Sequence, residues 1–257
     1  MDGGAMFGPV PKVLWSQKIE ADTDNTILLS NNIILVQTGT NNIIIDTGLG
    51  NKLTQKQQAI FKVTSPWLLD EDLESCGITR DDIDTVILTH CDFDHAGGAV
   101  MLDNDNHERV TFPKAKYIVQ NEEWFDVNNT TQRSASTYWP INFAALPESQ
   151  VELIEGAQEI AEGVNVIQTG GHTRGHQIVE LKSQGTLAVH LGDLLPTTHH
   201  TNPLWVMAFD NFPLQAIAAK EQLIPFYSDR KAWFLLYHDI GCHACRISAE
   251  YQVTDVL

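Results

Sequence analysis

The chain has 257 residues, 43% of them hydrophobic, which is enough apolar material to bury a substantial core in one domain. Its 16 Lys and Arg against 33 Asp and Glu leave a net charge of −17, a field that repels phosphate backbones and anionic bilayers, so no nucleic acid and no membrane is expected as a partner. The first ten residues have neither a basic start nor a sustained apolar run, so a cytoplasmic location is expected, where Cys76, Cys91, Cys242 and Cys245 fit reduced thiols better than a disulfide framework.

In chain order, Thr26-Ile27-Leu28-Leu29, Ile33-Ile34-Leu35-Val36 and Ile43-Ile44-Ile45 are β-branched runs broken by Ser30-Asn31-Asn32 and Gly39-Thr40-Asn41. This spacing predicts a three-stranded meander ending on Asp46. Short helices are predicted over 52–61 and 121–127, and Val86-Ile87-Leu88 reads as a buried strand. A hairpin is predicted from 178–181 and 186–189 around Ser183-Gln184-Gly185, leading to Asp193. An outer helix is predicted over 213–224, with Leu214, Ile217, Ala218 and Leu223 at helical spacing, Asp210 or Asn211 near its start and Pro225 as its stop. The apolar run 232–237 then ends on His238.

The strand at 86–88 runs into Thr89-His90-Cys91-Asp92-Phe93-Asp94-His95-Ala96-Gly97-Gly98, where four His and Asp candidates crowd one loop. Residues i and i+2 at a strand end point the same way, so His90 and Asp92 can share one ion while Asp94 and His95 turn towards a second. Three more predicted strand ends carry candidates: His172 and His176 in Gly171-His172-Thr173-Arg174-Gly175-His176, then Asp193, then His238. Cys242-His243-Ala244-Cys245 is a lone C-x-x-C pair and reads as free thiols.

This ordered set, with Asp46-Thr47-Gly48 ahead of it, resembles the metallo-β-lactamase superfamily, whose first motif is HxHxDH. The resemblance implies an α/β fold, a four-layer αβ/βα sandwich of two mixed β-sheets forming one hydrolase domain over 1–257. It implies two divalent metal ions: His90, Asp92 and His172 on the first, Asp94, His95 and His238 on the second, and Asp193 bridging them. Asp94 would also be catalytic, passing a proton to the leaving alkoxide. His176 and Asp46 would orient ligands by hydrogen bonds.

The chain departs from the family at Asp92, where a second histidine is usual. Zinc is the expected metal, with iron or manganese as alternatives because a carboxylate is the harder ligand. Asp193, where β-lactamases of this fold usually carry cysteine, argues against antibiotic hydrolysis. Further stretches, including Val119-Gln120-Asn121-Glu122-Glu123-Trp124 and Tyr237-His238-Asp239, are similar to the branch of quorum-quenching lactonases and methyl parathion hydrolase. The implied activity is attack on a small-molecule lactone, ester or phosphotriester by metal-activated hydroxide, in a homodimer. A di-iron redox protein of the same fold, which also carries a carboxylate in its first motif, and a non-catalytic small-molecule binder are the alternatives. His190 reads as packing, His199 and His200 as solvated loop residues, and at least one of Trp67, Trp124, Trp139 and Trp205 as a pocket wall.

Overall fold

The computed structural model describes residues 1–257, which fall into one unit of Ile33–Glu155 and another of Met1–Asn32 with Gly156–Leu257. Two short helices begin the chain, α1 (Gly3–Phe7), capped by the Asp2 side chain on Ala5 N–H, and α2 (Lys12–Trp15). Met6, Phe7 and Trp15 bury there with Ile27 and Met207. The strand predicted at 26–29 does not form, apart from an isolated bridge between Asp2 and Thr26. Its backbone is satisfied elsewhere: Ile27 N–H bonds Met1 O, and Ser30 N–H bonds His238 O.

In the Ile33–Glu155 unit, β1 (Ile34–Gln37) and β2 (Asn42–Ile45) form an antiparallel hairpin. Helix α3 (Gln55–Phe61) starts later than predicted because Thr54 and Gln57 close a capping box at its N-terminus. Then come α4 (Leu69–Ser75), β3 (Thr85–Ile87), α5 (Phe93–Ala96), the small hairpin of β4 (Val100–Leu102) and β5 (Glu108–Val110), β6 (Lys116–Gln120), α6 (Asn121–Asn128) and β7 (Val151–Ile154). The sheet order β1-β2-β3-β6-β7 is mixed, since every pair after the first is parallel. Parallel strands are buried on both faces, which is why the sequence shows unbroken apolar runs at Ile43, Ile44, Ile45 and at Val86, Ile87. Each such side chain contributes about 1.5–3 kcal/mol by leaving water. Since Ile45 pairs with Ile87 in parallel, Asp46 and the loop carrying His90 leave the sheet at the same edge.

The other unit adds β8 (Ala157–Ala161), β9 (Val164–Gln168), β10 (Gln177–Ser183), β11 (Thr186–His190), α7 (Pro213–Asp229), β12 (Trp233–Leu235), β13 (Ala244–Ile247) and β14 (Val253–Val256). They form a seven-stranded sheet, antiparallel except where β11 meets β12. That parallel pair aligns His190 with Leu235, so Asp193 and His238, each three residues further on, leave the same end. Helix α7 does not stop at Pro225 as predicted but continues to Asp229. A proline inside a helix costs about 3 kcal/mol. Continuing one more turn keeps Tyr227 buried, edge-on to Phe234, a gain of comparable size. No helix is long and apolar enough to cross a membrane.

Candidate functional site

Asp46 organises the candidate ligands of the Ile33–Glu155 unit. It is fully buried in the left-handed region, with φ 56°, a conformation that costs a non-glycine residue about 1 kcal/mol or more. Three donors hold it there: Thr89 N–H and Thr89 Oγ1, each at 2.8 Å, and His95 Nδ1 at 2.8 Å. A carboxylate accepts, so His95 Nδ1 is the donor, which in the neutral imidazole places the lone pair on Nε2. Thr89 Oγ1 spends its proton on Asp46 and therefore accepts from His90 Nδ1 at 3.0 Å, which fixes the same tautomer on His90. The two imidazoles lie 4.0 Å apart between ring centroids, and His90 Nε2 is 3.8 Å from Asp92 Oδ2. Asp92 takes the N-cap position of α5, with Asp94 and His95 in that helix's single turn. Thr47 N–H and Oγ1 both donate to His95 O, binding the Asp-Thr-Gly turn to the ligand loop.

Behind this loop stands Glu123 of α6, only 1% exposed, whose Oε1 accepts Cys91 N–H at 2.8 Å and the Tyr138 hydroxyl at 2.7 Å. Burial first, then the Glu123 charge, pushes the Tyr138 hydroxyl far above its usual pKa, so it remains a donor. The neighbouring Trp139 stacks on Phe93 at 4.4 Å, and Phe93 stacks on Phe61 at 4.6 Å. An aromatic wall is thus built on the residue between Asp92 and Asp94. Trp67 and Trp124 pack against the unit's core instead.

In the other unit the candidates come from three separate loops. His172 lies between β9 and β10; its Nδ1 donates to Asp210 Oδ1 at 2.9 Å, while Asp210 Oδ2 accepts Met207 N–H at 2.8 Å. The start of α7 holds this loop through Asn211 N–H on His172 O and Phe212 N–H on Gly171 O. Gly171 has φ 93°, and a Cβ there would come within 2.9 Å of the Ala216 backbone, so the close approach requires glycine. His238 Nδ1 donates to Ser30 O at 2.8 Å. Both imidazoles turn Nε2 towards Asp193: His172 Nε2 is 3.5 Å from Oδ2, and His238 Nε2 is 3.3 Å from Oδ1. One buried carboxylate therefore presents a different oxygen to each histidine.

His176 is fully buried with Nδ1 2.8 Å from Thr169 Oγ1, edge-on to His172. His190 Nδ1 donates to Leu235 O across β11 and β12. His200 is not the solvated loop residue expected: it is 1% exposed, donates Nε2–H to Met6 O, accepts from Thr197 Oγ1 and stacks on Phe7. Burial, helped by the Lys220 charge, lowers its pKa to about 3 and keeps it neutral. Asp210, Glu123 and Ser30 carry no role in the sequence reading. Asp210 stands there only as a helix start, and nothing local marks an acceptor 38 residues from the imidazole it serves.

The donor chemistry fits divalent cations. Each of His90, His95, His172 and His238 gives Nδ1–H to a protein oxygen, which in the neutral ring puts the lone pair on Nε2, the arrangement that would orient a metal-binding imidazole and raise its basicity. Residues 26–224 match the family model of the metallo-β-lactamase superfamily. An N-acyl homoserine lactonase of Bacillus thuringiensis is 26% identical over 222 residues, 85% of this chain and 81% of that protein. A probable metal-dependent hydrolase from Staphylococcus aureus is 40% identical in sequence, covering 100% of this chain and 92% of that one, with a TM-score of 0.94. AidC, a dizinc quorum-quenching lactonase solved with its N-hexanoyl-homoserine product, shares the fold at 20% identity and a TM-score of 0.73, over 89% of this chain and 80% of its own. The chain belongs to the metallo-β-lactamase superfamily.

Proposed function

We propose that this chain, acting as one functional domain over 1–257, is a dinuclear metal-dependent hydrolase that opens small-molecule lactones, with esters and phosphotriesters as further substrates of the same chemistry. The observation that carries the reading is Asp193, whose two oxygens face two imidazole Nε2 atoms, as a carboxylate shared by two cations must. The family pattern assigns His90, Asp92 and His172 to one ion and Asp94, His95 and His238 to the other. Bound divalent ions supply an acidified water as nucleophile and polarise the electrophile. Zinc suits the imidazole-rich set, while the Asp92 carboxylate moves the preference towards iron or manganese.

The chain's own groups do the rest. Asp46 and Asp210 hold His95 and His172 in the ligating tautomer, so no reorientation is needed when cations bind. Asp94, half-buried in the first turn of α5, is the carboxylate assigned to carry a proton to the alkoxide released by ring opening. Phe61, Phe93 and Trp139 offer an apolar face suited to an acyl chain or aryl group. The lactonase relatives support this substrate class.

The test is proton release from N-hexanoyl-homoserine lactone, an aryl ester and a phosphotriester. Turnover of the lactone that is lost on chelation and restored by added divalent metal is expected. Lack of turnover of any of the three by metal-replete protein would overturn the proposal.

A further inference from the structure

Seven hydrogen bonds tie the turn Ser30-Asn31-Asn32 to the strand end that carries His238. Asn32 Nδ2 donates to Leu236 O at 3.0 Å and to Asp239 O at 2.9 Å. Asn32 N–H reaches Tyr237 O at 2.9 Å and Ser30 N–H reaches His238 O at 3.3 Å. Ser30 Oγ shares its one proton between Asp239 O at 2.8 Å and Tyr237 O at 3.2 Å. In return, Ser30 O accepts His238 Nδ1–H at 2.8 Å. Every main-chain carbonyl from Leu236 to Asp239 thus has a donor from Ser30 or Asn32, more than 200 residues away in sequence.

We infer that Ser30 and Asn32 are positioning residues for His238, an inference that rests on the metal-ligand reading above. Three of the four histidines take Nδ1 to a side chain, directly behind their ring: Thr89, Asp46 or Asp210. His238 alone takes it to a main-chain carbonyl, and a carbonyl points wherever its backbone is held. Here two main-chain N–H groups are joined in the holding by the Ser30 hydroxyl and the Asn32 carboxamide. They make the turn and the strand end one rigid piece, so the ring plane is set and Nε2 stays 3.3 Å from Asp193 Oδ1. The far side of the piece is also pinned: Asp239 Oδ2 accepts Thr198 N–H at 2.8 Å and Thr198 Oγ1 at 2.7 Å, and His238 N–H donates to Pro196 O at 3.0 Å. Removing the Asn32 carboxamide leaves the acceptor carbonyl in place but loosens the backbone that aims it, since two of the seven contacts go with it. The loss therefore falls on one of the two cations, in the range of about 10–100-fold in affinity that outer partners of metal ligands show.

The experiment is chelator-competition titration with zinc of the full-length wild type, Asn32→Ala, Ser30→Ala, Ser30→Thr and His238→Ala, with thermal unfolding of each metal-free protein alongside. The expected result is two ions on the wild type and one on His238→Ala. Asn32→Ala should bind one ion normally and the other about 10–100-fold more weakly, Ser30→Ala should show the same split to a smaller degree, and Ser30→Thr, which keeps the hydroxyl, should restore wild-type binding. If His238→Ala loses one ion while Asn32→Ala and Ser30→Ala keep both at wild-type affinity, the inference is overturned and the metal reading stands. Equal weakening of both ions in step with lower thermal stability also overturns it, by showing a general structural role. If the wild type does not bind two ions, or His238→Ala still does, the metal reading falls and takes the inference with it. Should Asn32→Ala not fold, Ser30→Ala against Ser30→Thr decides the question on the same outcomes.

Discussion

The two units supply candidate ligands in opposite ways. In Ile33–Glu155 all four come from one stretch, residues 90–95, and a single buried carboxylate, Asp46, sets two of the rings through His95 directly and His90 by way of Thr89. In the other unit His172, Asp193 and His238 leave three different loops, and each histidine has its own acceptor, Asp210 or Ser30 O. A contiguous motif needs one hub behind it. A dispersed one needs a separate support for every member, plus a shared partner, which Asp193 provides.

The comparison breaks most severely at that shared partner. Asp193→Ala should remove a carboxylate from two imidazoles at once, lowering the content of both ions and turnover by about 10³-fold or more, several kcal/mol of lost stabilisation. Metal analysis and lactone hydrolysis on the purified variant check this; full occupancy would show that Asp193 is not shared. The hub comes next. Asp46→Asn retains a residue that tolerates positive φ but places an amide where three donors converge, so metal affinity should fall about 10–100-fold, with about 1–3 kcal/mol of stability lost. Asp210→Asn, which can keep its carbonyl on His172, should cost about tenfold, and at one ion only. Equal effects of the two variants in paired titrations would erase the distinction between hub and single support.

Asp92→His restores the usual HxHxDH pattern and should raise the preference for zinc over manganese or iron by an order of magnitude or so without changing the count of ions. Competition between the metals measures it, and an unchanged preference would mean that Asp92 does not coordinate. The smallest effect on activity comes from two buried lysines, one in each unit. Burial lowers Lys52 to about 8, opposed by Glu108, and Lys220 to about 7, opposed by Asp210. An unfolded lysine titrates near 10.4, so between these values the unfolded chain binds more protons than the folded one, and stability must rise with pH from about 7 towards 10. Denaturant unfolding at several pH values should show that rise, and Lys220→Met and Lys52→Met should each flatten part of it. A fall in stability over this window in the wild type would contradict the burial assigned to both.

How much of this was legible in the sequence follows the same division. The residues from His90 to His95 announce themselves, because ligand types at i, i+2, i+4 and i+5 after an apolar strand have few other uses. His172, Asp193 and His238 could be picked out only because strand-like runs ended on them and a family pattern ordered them. The supports were not legible: Asp210, Glu123 and Ser30 act through bonds spanning 38, 32 and 208 residues, and no local spacing encodes such pairs. The strand predicted at 26–29 fails to form for the same reason. Its composition favours β structure, but from Ser30 onwards its donors go to the strand end carrying His238. Pro225 misled in the other direction, since packing of Tyr227 in the following turn offsets the helix-breaking cost.

The most direct test of the central claim is elemental analysis of the purified chain after equilibration with excess zinc and removal of unbound metal. If the two ligand sets serve a dinuclear centre, the wild type carries about two ions per chain, and His95→Ala and His238→Ala each carry about one. A wild type that holds one ion or none under those conditions contradicts the account.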